Sequence, residues 1–257
     1  ALRFFTKDFD DFDCDNFLIS QQEFEQALDK VGHELIESLE YAFENISNYQ
    51  SKCYESLNLE PSDDDIKRKF RVIDSVGMYI PGGQASYPST VLMAAAPALA
   101  CGVRNISLTT PAQNGMLNSL TIAAAKVAGI KKIYKIGGAQ AIAALALGTD
   151  QVSKVDKIIG PGNAFVAEAK KQLFGEVGID SIAGPSEIVI FADDTSDPET
   201  IAWDLMAQSE HDSDASAVLI SSSDKLIDEV KKIINKEIVS LQRHQIIKDA
   251  IESNGLF

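Results

Sequence analysis

Gln208 and His211 stand three apart in the sequence, a spacing that puts both on one face of a helix, where an amide oxygen and an imidazole nitrogen reach one metal ion. The pair supplies half of a zinc shell at most, and a Gln and a His at this spacing more often simply face water. Glycine turns offer a different chemistry. Ile80-Pro81-Gly82-Gly83, Ile136-Gly137-Gly138-Ala139-Gln140, Ile159-Gly160-Pro161-Gly162-Asn163 and Ala183-Gly184-Pro185-Ser186 each follow a strand-like run. Backbone N–H groups bared by glycine beside a helix start suit a pyrophosphate or a carboxylate. None of the turns has the G-x-G-x-x-G form, and any one of them alone is as well explained as a tight connection. Gln140, Asn163 and Ser186 follow the glycines within one or two positions and would project from a loop rim, so together the turns point to a small-molecule site. Glu187 and Glu210 are candidate general bases by type and position, although a solvated carboxylate is the default. His33, read as mid-helix, and His244 stand without a partner at convincing ligand spacing and are taken as surface residues.

Such residues need rigid elements to hold them. Ser20-Gln21-Gln22-Glu23 has the form of a capping box, and Phe24, Leu28, Val31, Leu35, Leu39, Phe43 and Ile46 then draw one apolar stripe down a helical segment bent at Gly32. The polar run Glu60-Pro61-Ser62-Asp63-Asp64-Asp65 breaks the pattern. Beyond it, strand-like runs at 103–108, 132–136, 157–159, 188–192 and 217–221 alternate with helix-like runs at 115–128, 139–147, 163–174 and 197–209. Asp197 caps the last of these helices and Pro198 occupies its first turn. The alternation predicts an α/β fold, largely parallel sheet with helices on both faces, preceded by a helical N-terminal segment. A final helix around 245–252 runs into Ser253-Asn254-Gly255, a C-cap, after which Leu256-Phe257 reads as the opening of a strand, so the chain is expected to be a fragment.

Composition narrows the partners. The 257 residues are 45% hydrophobic and 24% charged, enough to bury a sizeable core. A formal charge of −15, with no basic run longer than Lys67-Arg68-Lys69, argues against nucleic acid and anionic membrane as partners. Cys14, Cys53 and Cys101 are odd in number and widely spaced, which argues for a reducing compartment and against a thiolate metal site. The first residues lack a signal-peptide pattern, and the longest apolar run, 91–101, is too short to span a bilayer. A cytoplasmic protein is expected.

Taken in order, the motifs resemble a known family. Val76-Gly77-Met78-Tyr79-Ile80-Pro81-Gly82-Gly83, Gly137-Gly138-Ala139-Gln140, Val155-Asp156-Lys157-Ile158-Ile159-Gly160-Pro161-Gly162-Asn163, Ala183-Gly184-Pro185-Ser186-Glu187 and Gln208-Ser209-Glu210-His211 are similar to those of histidinol dehydrogenases, from about Asp74 onward and more weakly before it. The resemblance implies zinc- and NAD-dependent oxidation of histidinol, through a retained aldehyde, to histidine. It puts Tyr79, Gln140 and Asn163 against NAD, Ser186 against substrate, and Gln208 and His211 against both zinc and substrate. An Asp and a His that complete the zinc shell, and a Glu-His pair for proton transfer, would lie beyond Phe257, so residues 1–257 alone are expected to be inactive. The implied architecture is two incomplete Rossmann-like domains in a homodimer, one made of 1–78 with 188–257 and the other, 79–187, inserted in it. Two other readings compete: a family member acting on another small polar alcohol such as a sulfonated diol, and a non-catalytic nucleotide-binding remnant. A purely structural role has least support.

Overall fold

The computed structural model describes residues 1–57, 70–82, 87–182 and 187–256. The polar run at 60–65, the basic triplet at 67–69, Gly83 and the whole 183–186 turn lie outside the described residues. Contacts divide the chain into two units, 1–182 and 183–257.

In the first unit the capping box forms as predicted. Ser20 Oγ accepts the Glu23 N–H at 3.2 Å and the Glu23 carboxylate accepts the Ser20 N–H at 2.9 Å. The box opens a pair of helices where one bent helix was expected. After α1 (Leu2–Asp10), α2 runs Gln21–Asp29 and α3 runs His33–Ser56, because Gly32 takes an extended conformation (φ −62°, ψ 149°) and becomes the N-cap of α3. His33 therefore opens a helix instead of sitting inside one. It lies exposed, 3.4 Å from Glu37.

The chain then alternates: β1 (Ser75–Tyr79), α4 (Pro88–Ala100), β2 (Asn105–Thr110), α5 (Ser119–Val127), β3 (Lys132–Lys135), α6 (Gly138–Leu147), β4 (Lys157–Ile159), α7 (Ala164–Leu173) and β5 (Gly178–Ile179). The five strands are all parallel, in the order β3-β2-β1-β4-β5, with Gly77 opposite both Ser107 and Ile158. The chain winds outward from β1 to β3, then α6 carries it back to the other side of β1. That reversal puts the topological switch point between β1 and β4, where open α/β sheets bind ligands.

Strand alternation divides the core. Val76, Met78 and Ile80 pack with α4 and α5 on one face, and Tyr79 packs with α6 on the other. Met78, Leu108 and Ile133 are fully buried, each stabilising the fold by about 1.5–3 kcal/mol. α2 and α3 lay Phe24, Leu28, Leu39 and Phe43 on the α4/α5 layer. The helical segment thus groups with this sheet, and β1 lies at its centre.

The edge of β3 is not left open. Leu18 bridges Tyr134 in antiparallel fashion, the Ile19 N–H donates to Ile133 O at 2.9 Å, and the Lys135 N–H donates to Phe17 O at 2.8 Å. The buried Lys135 ammonium reaches Glu23 at 2.8 Å and ties α2 to the same edge.

In the second unit β6 (Glu187–Ala192) pairs in parallel with β7 (Ser216–Ser221), with α8 (Pro198–Ser209), α9 (Asp224–Glu237) and α10 (His244–Asn254) following in chain order among them. Ile188, Ile190, Ala217 and Leu219 join one core with Leu205, Val230 and Ile247 of the helices. The opposite sheet face shows Val189, Phe191 and Ile220, 52%, 78% and 47% exposed. Helices on both faces are thus met in the first unit, whereas the described helices of the second cover one. The strand-like ending is present as a parallel bridge from Leu256 to Val218, with the Leu219 N–H donating to Leu256 O at 2.8 Å. Among the described residues no helix is long and apolar enough to cross a membrane.

Candidate functional site

At the carboxyl end of β1 the Tyr79 side chain is buried, and its hydroxyl accepts the Gly138 N–H at 3.1 Å. Burial pushes the phenol pKa up, and this one accepted bond only partly offsets it. The neutral hydroxyl keeps its own proton for a further donation. Gly138 opens α6 in the left-handed region (φ 67°), and a Cβ there would come within 2.7 Å of Gln140 Oε1. The conformation favours glycine, and the Gln140 amide folds back across it. Tyr79 and Gln140 meet through this residue.

The β4–α7 turn closes against the same strand end. Gly160 has φ 119°, and a Cβ there would collide with the Tyr79 carbonyl oxygen. Asn163 caps α7, its Oδ1 accepting the Val166 N–H at 3.1 Å, a structural duty that leaves its exposed amide N–H groups to donate elsewhere. Tyr79 therefore ends β1, and Gln140 and Asn163 follow β3 and β4, at the carboxyl end of one parallel sheet. A Cβ on Gly137 would meet Pro111 and one on Gly162 would meet Val166, so these glycines serve close packing of the turns, while the helix starts beside them suit an anionic group such as the phosphates of a dinucleotide.

Two charged groups that no motif marks hold this turn. Lys170, 2% exposed on the inner face of α7, reaches Gly160 O at 2.5 Å and Asp180 Oδ1 at 2.6 Å. Asp180 also accepts the Gly160 N–H at 2.8 Å and the Ser181 N–H at 2.7 Å. Partial burial pushes the Asp180 carboxyl up, but the bonds from Lys170, Gly160 and Ser181 together outweigh it and hold its pKa below the usual carboxylate range. The only sequence signal is a lysine one turn after Val166 on the apolar face of a helix, too slight to assign. A second carboxyl outside the motifs is Asp10, whose buried Oδ2 has no hydrogen-bond partner among the described residues; burial pushes its pKa up, and its charge is felt at Tyr79.

In the second unit Asp197 caps α8 through the Glu199 and Thr200 N–H groups, both at 3.2 Å, and Ile201, Leu205 and Met206 bury its inner face. Gln208, half-buried, ends up in the last turn, and His211, exposed, lies just past the helix with its N–H donating to Gln208 O at 3.2 Å. Glu187 and Glu210 are exposed. Among the described residues no group of three or more His, Cys, Asp or Glu could hold a metal ion; the exposed His211 imidazole is by itself a donor of the type zinc takes. Ser186 lies outside the described residues.

A family model for histidinol dehydrogenase matches residues 1–257. The chain belongs to the histidinol dehydrogenase family. The match takes in the N-terminal helices as well as the stretch after Asp74 on which the resemblance is strongest. The chain is 45% identical over 258 residues to a histidinol dehydrogenase of Oceanobacillus iheyensis, covering 99% of this chain and 60% of that protein. It is 43% identical over 260 residues to one of Methanocaldococcus jannaschii, covering 100% of this chain and 61% of that protein. A crystal structure of histidinol dehydrogenase from Elizabethkingia anophelis superposes with a TM-score of 0.89 at 36% identity, over 99% of this chain and 60% of the other. The chain thus spans about 60% of the length of the relatives it matches.

Proposed function

We propose that the whole protein of which this chain is part oxidises histidinol to histidine, in histidine biosynthesis, by two successive hydride transfers to NAD. The observation that carries this reading is the match of one family along residues 1–257, through every glycine turn and the Gln208/His211 pair. Tyr79, Gln140 and Asn163 are assigned to NAD, with the Tyr79 hydroxyl and the Asn163 amide as donors and the Gln140 amide over the start of α6. Gln208 and His211 are assigned to zinc and substrate together, and Ser186 to substrate. When bound, NAD accepts hydride and zinc supplies a Lewis-acidic template that orients the substrate's nitrogens. The remaining zinc ligands and the Glu-His pair belong to the part of the protein beyond Phe257. A cytoplasmic homodimer is the assembly that goes with this reading.

The test is NADH formation by the full-length protein with histidinol, expected at two NADH per histidinol. Residues 1–257 alone should turn over negligibly, since loss of a general base costs about 10²–10⁴-fold before any loss of metal ligands is counted. Full-length protein that oxidises a sulfonated diol and ignores histidinol would shift the substrate assignment. One that binds NAD with neither zinc uptake nor turnover would reduce the reading to nucleotide binding.

A further inference from the structure

We propose that Lys170 and Asp180 are positioning residues for nucleotide binding, which hold the Gly160–Asn163 turn in the shape that receives the dinucleotide. The inference rests on the assignment of that turn to NAD. Both backbone polar groups of Gly160 are taken by side chains from other elements: its N–H by Asp180, just past β5, and its carbonyl oxygen by Lys170, on α7. The two side chains then bind each other at 2.6 Å, closing a ring around one glycine.

The Lys170 ammonium is buried while the Asp180 side chain is 34% exposed, and taking a charge out of water costs what its partner then only offsets, so an apolar side chain in place of Lys170 would stabilise the core as well. What an apolar side chain cannot do is fix the orientation of the peptide planes on either side of Gly160. Gly160, at φ 119°, occupies a region open to glycine, and glycine carries the widest backbone freedom to be lost on binding. A turn already held in place forgoes that loss, which is where preorganisation gains affinity. The Lys170 charge is answered by Asp180 inside the fold, so it acts on the nucleotide through the shape of the turn and not as a phosphate-binding cation.

The experiment uses the full-length enzyme with Lys170→Met, Asp180→Asn and the double substitution. It measures NAD affinity by titration at two salt concentrations, together with histidinol affinity, zinc content and melting temperature. Each single variant is expected to raise the Kd for NAD about tenfold or more. The double variant should be no weaker than the worse single, as for two members of one device. Salt dependence, zinc content and histidinol affinity should stay as in the unsubstituted protein. If Lys170→Met fails to fold, Asp180→Asn, which keeps the volume and an oxygen for the Gly160 N–H, carries the same expectation. Folded variants that bind NAD as well as before, or that lose NAD, zinc and histidinol together in step with melting temperature, would overturn the inference. A loss of salt dependence with Lys170→Met would overturn it too, making Lys170 a direct phosphate ligand. An unsubstituted enzyme that does not bind NAD at all would remove the nucleotide reading itself, and this inference with it.

Discussion

Asp180 accepts hydrogen bonds from a buried ammonium and two backbone N–H groups, and that local chemistry has a pH signature. Its pKa in the folded chain lies below the usual value. The stability it contributes is therefore complete above about pH 3.9, the unperturbed carboxylate value, and is lost as pH falls through the lowered folded pKa. Melting temperatures of the protein and its Asp180→Asn variant should differ most at neutral pH and converge on acidification below about pH 4. A gap that widens in acid would mean that the carboxylate is not held as described. None of this is legible in the sequence, because the pair joins residues of separate elements and neither stands in a motif. Asn163 is legible as a site candidate, but its cap on α7 shows how one residue type answers to two demands.

At the scale of elements, α8 starts at a cap and ends beside the residues proposed to hold zinc. Asp197→Ala should cost about 1 kcal/mol through loss of the N-cap, seen as a lower melting temperature with zinc content intact. His211→Ala in the full-length enzyme should do the reverse, lowering bound zinc, measured by metal analysis, with little change in melting temperature. If His211→Ala kept its zinc and activity, the metal assignment would be wrong. Caps are the most legible features of the sequence: Ser20 with Glu23, and Asp197 with Pro198, both mark real helix starts, because a side-chain oxygen beside free N–H groups is a local interaction. α4 is less legible. Val91, Leu92, Ala95, Ala96 and Ala98 are all buried, so the helix lacks the one-sided stripe that marks a surface helix. β5, two residues long, is strand only through its pairing with β4.

Across the whole molecule, the parallel α/β architecture follows from the order of strand-like and helix-like runs, but its grouping into units does not. The 1–57 segment is helical apart from its short connections, and nothing in a helical stripe states which sheet it covers. Nor does it foretell that residues 17–19 would close the β3 edge. Ile19→Pro, which removes the N–H donated to Ile133 O, should free that edge. Hydrogen exchange at the Lys135 amide, whose acceptor is Phe17 O, should quicken while the Met78 amide on the central strand stays protected. Unchanged exchange at Lys135 would show that the edge pairing contributes nothing.

The same pairing sets an order of events during synthesis. The Phe17 N–H finds its acceptor in the Gln151 side chain, 134 residues further along the chain. At about 5–20 residues per second, a ribosome needs on the order of ten seconds to make that partner. Phe17 and Ile19, both buried in the finished protein, must wait exposed for that time. Residues 17–19 are made well before the groups that cover them, and it is there that a nascent-chain chaperone would find its hold.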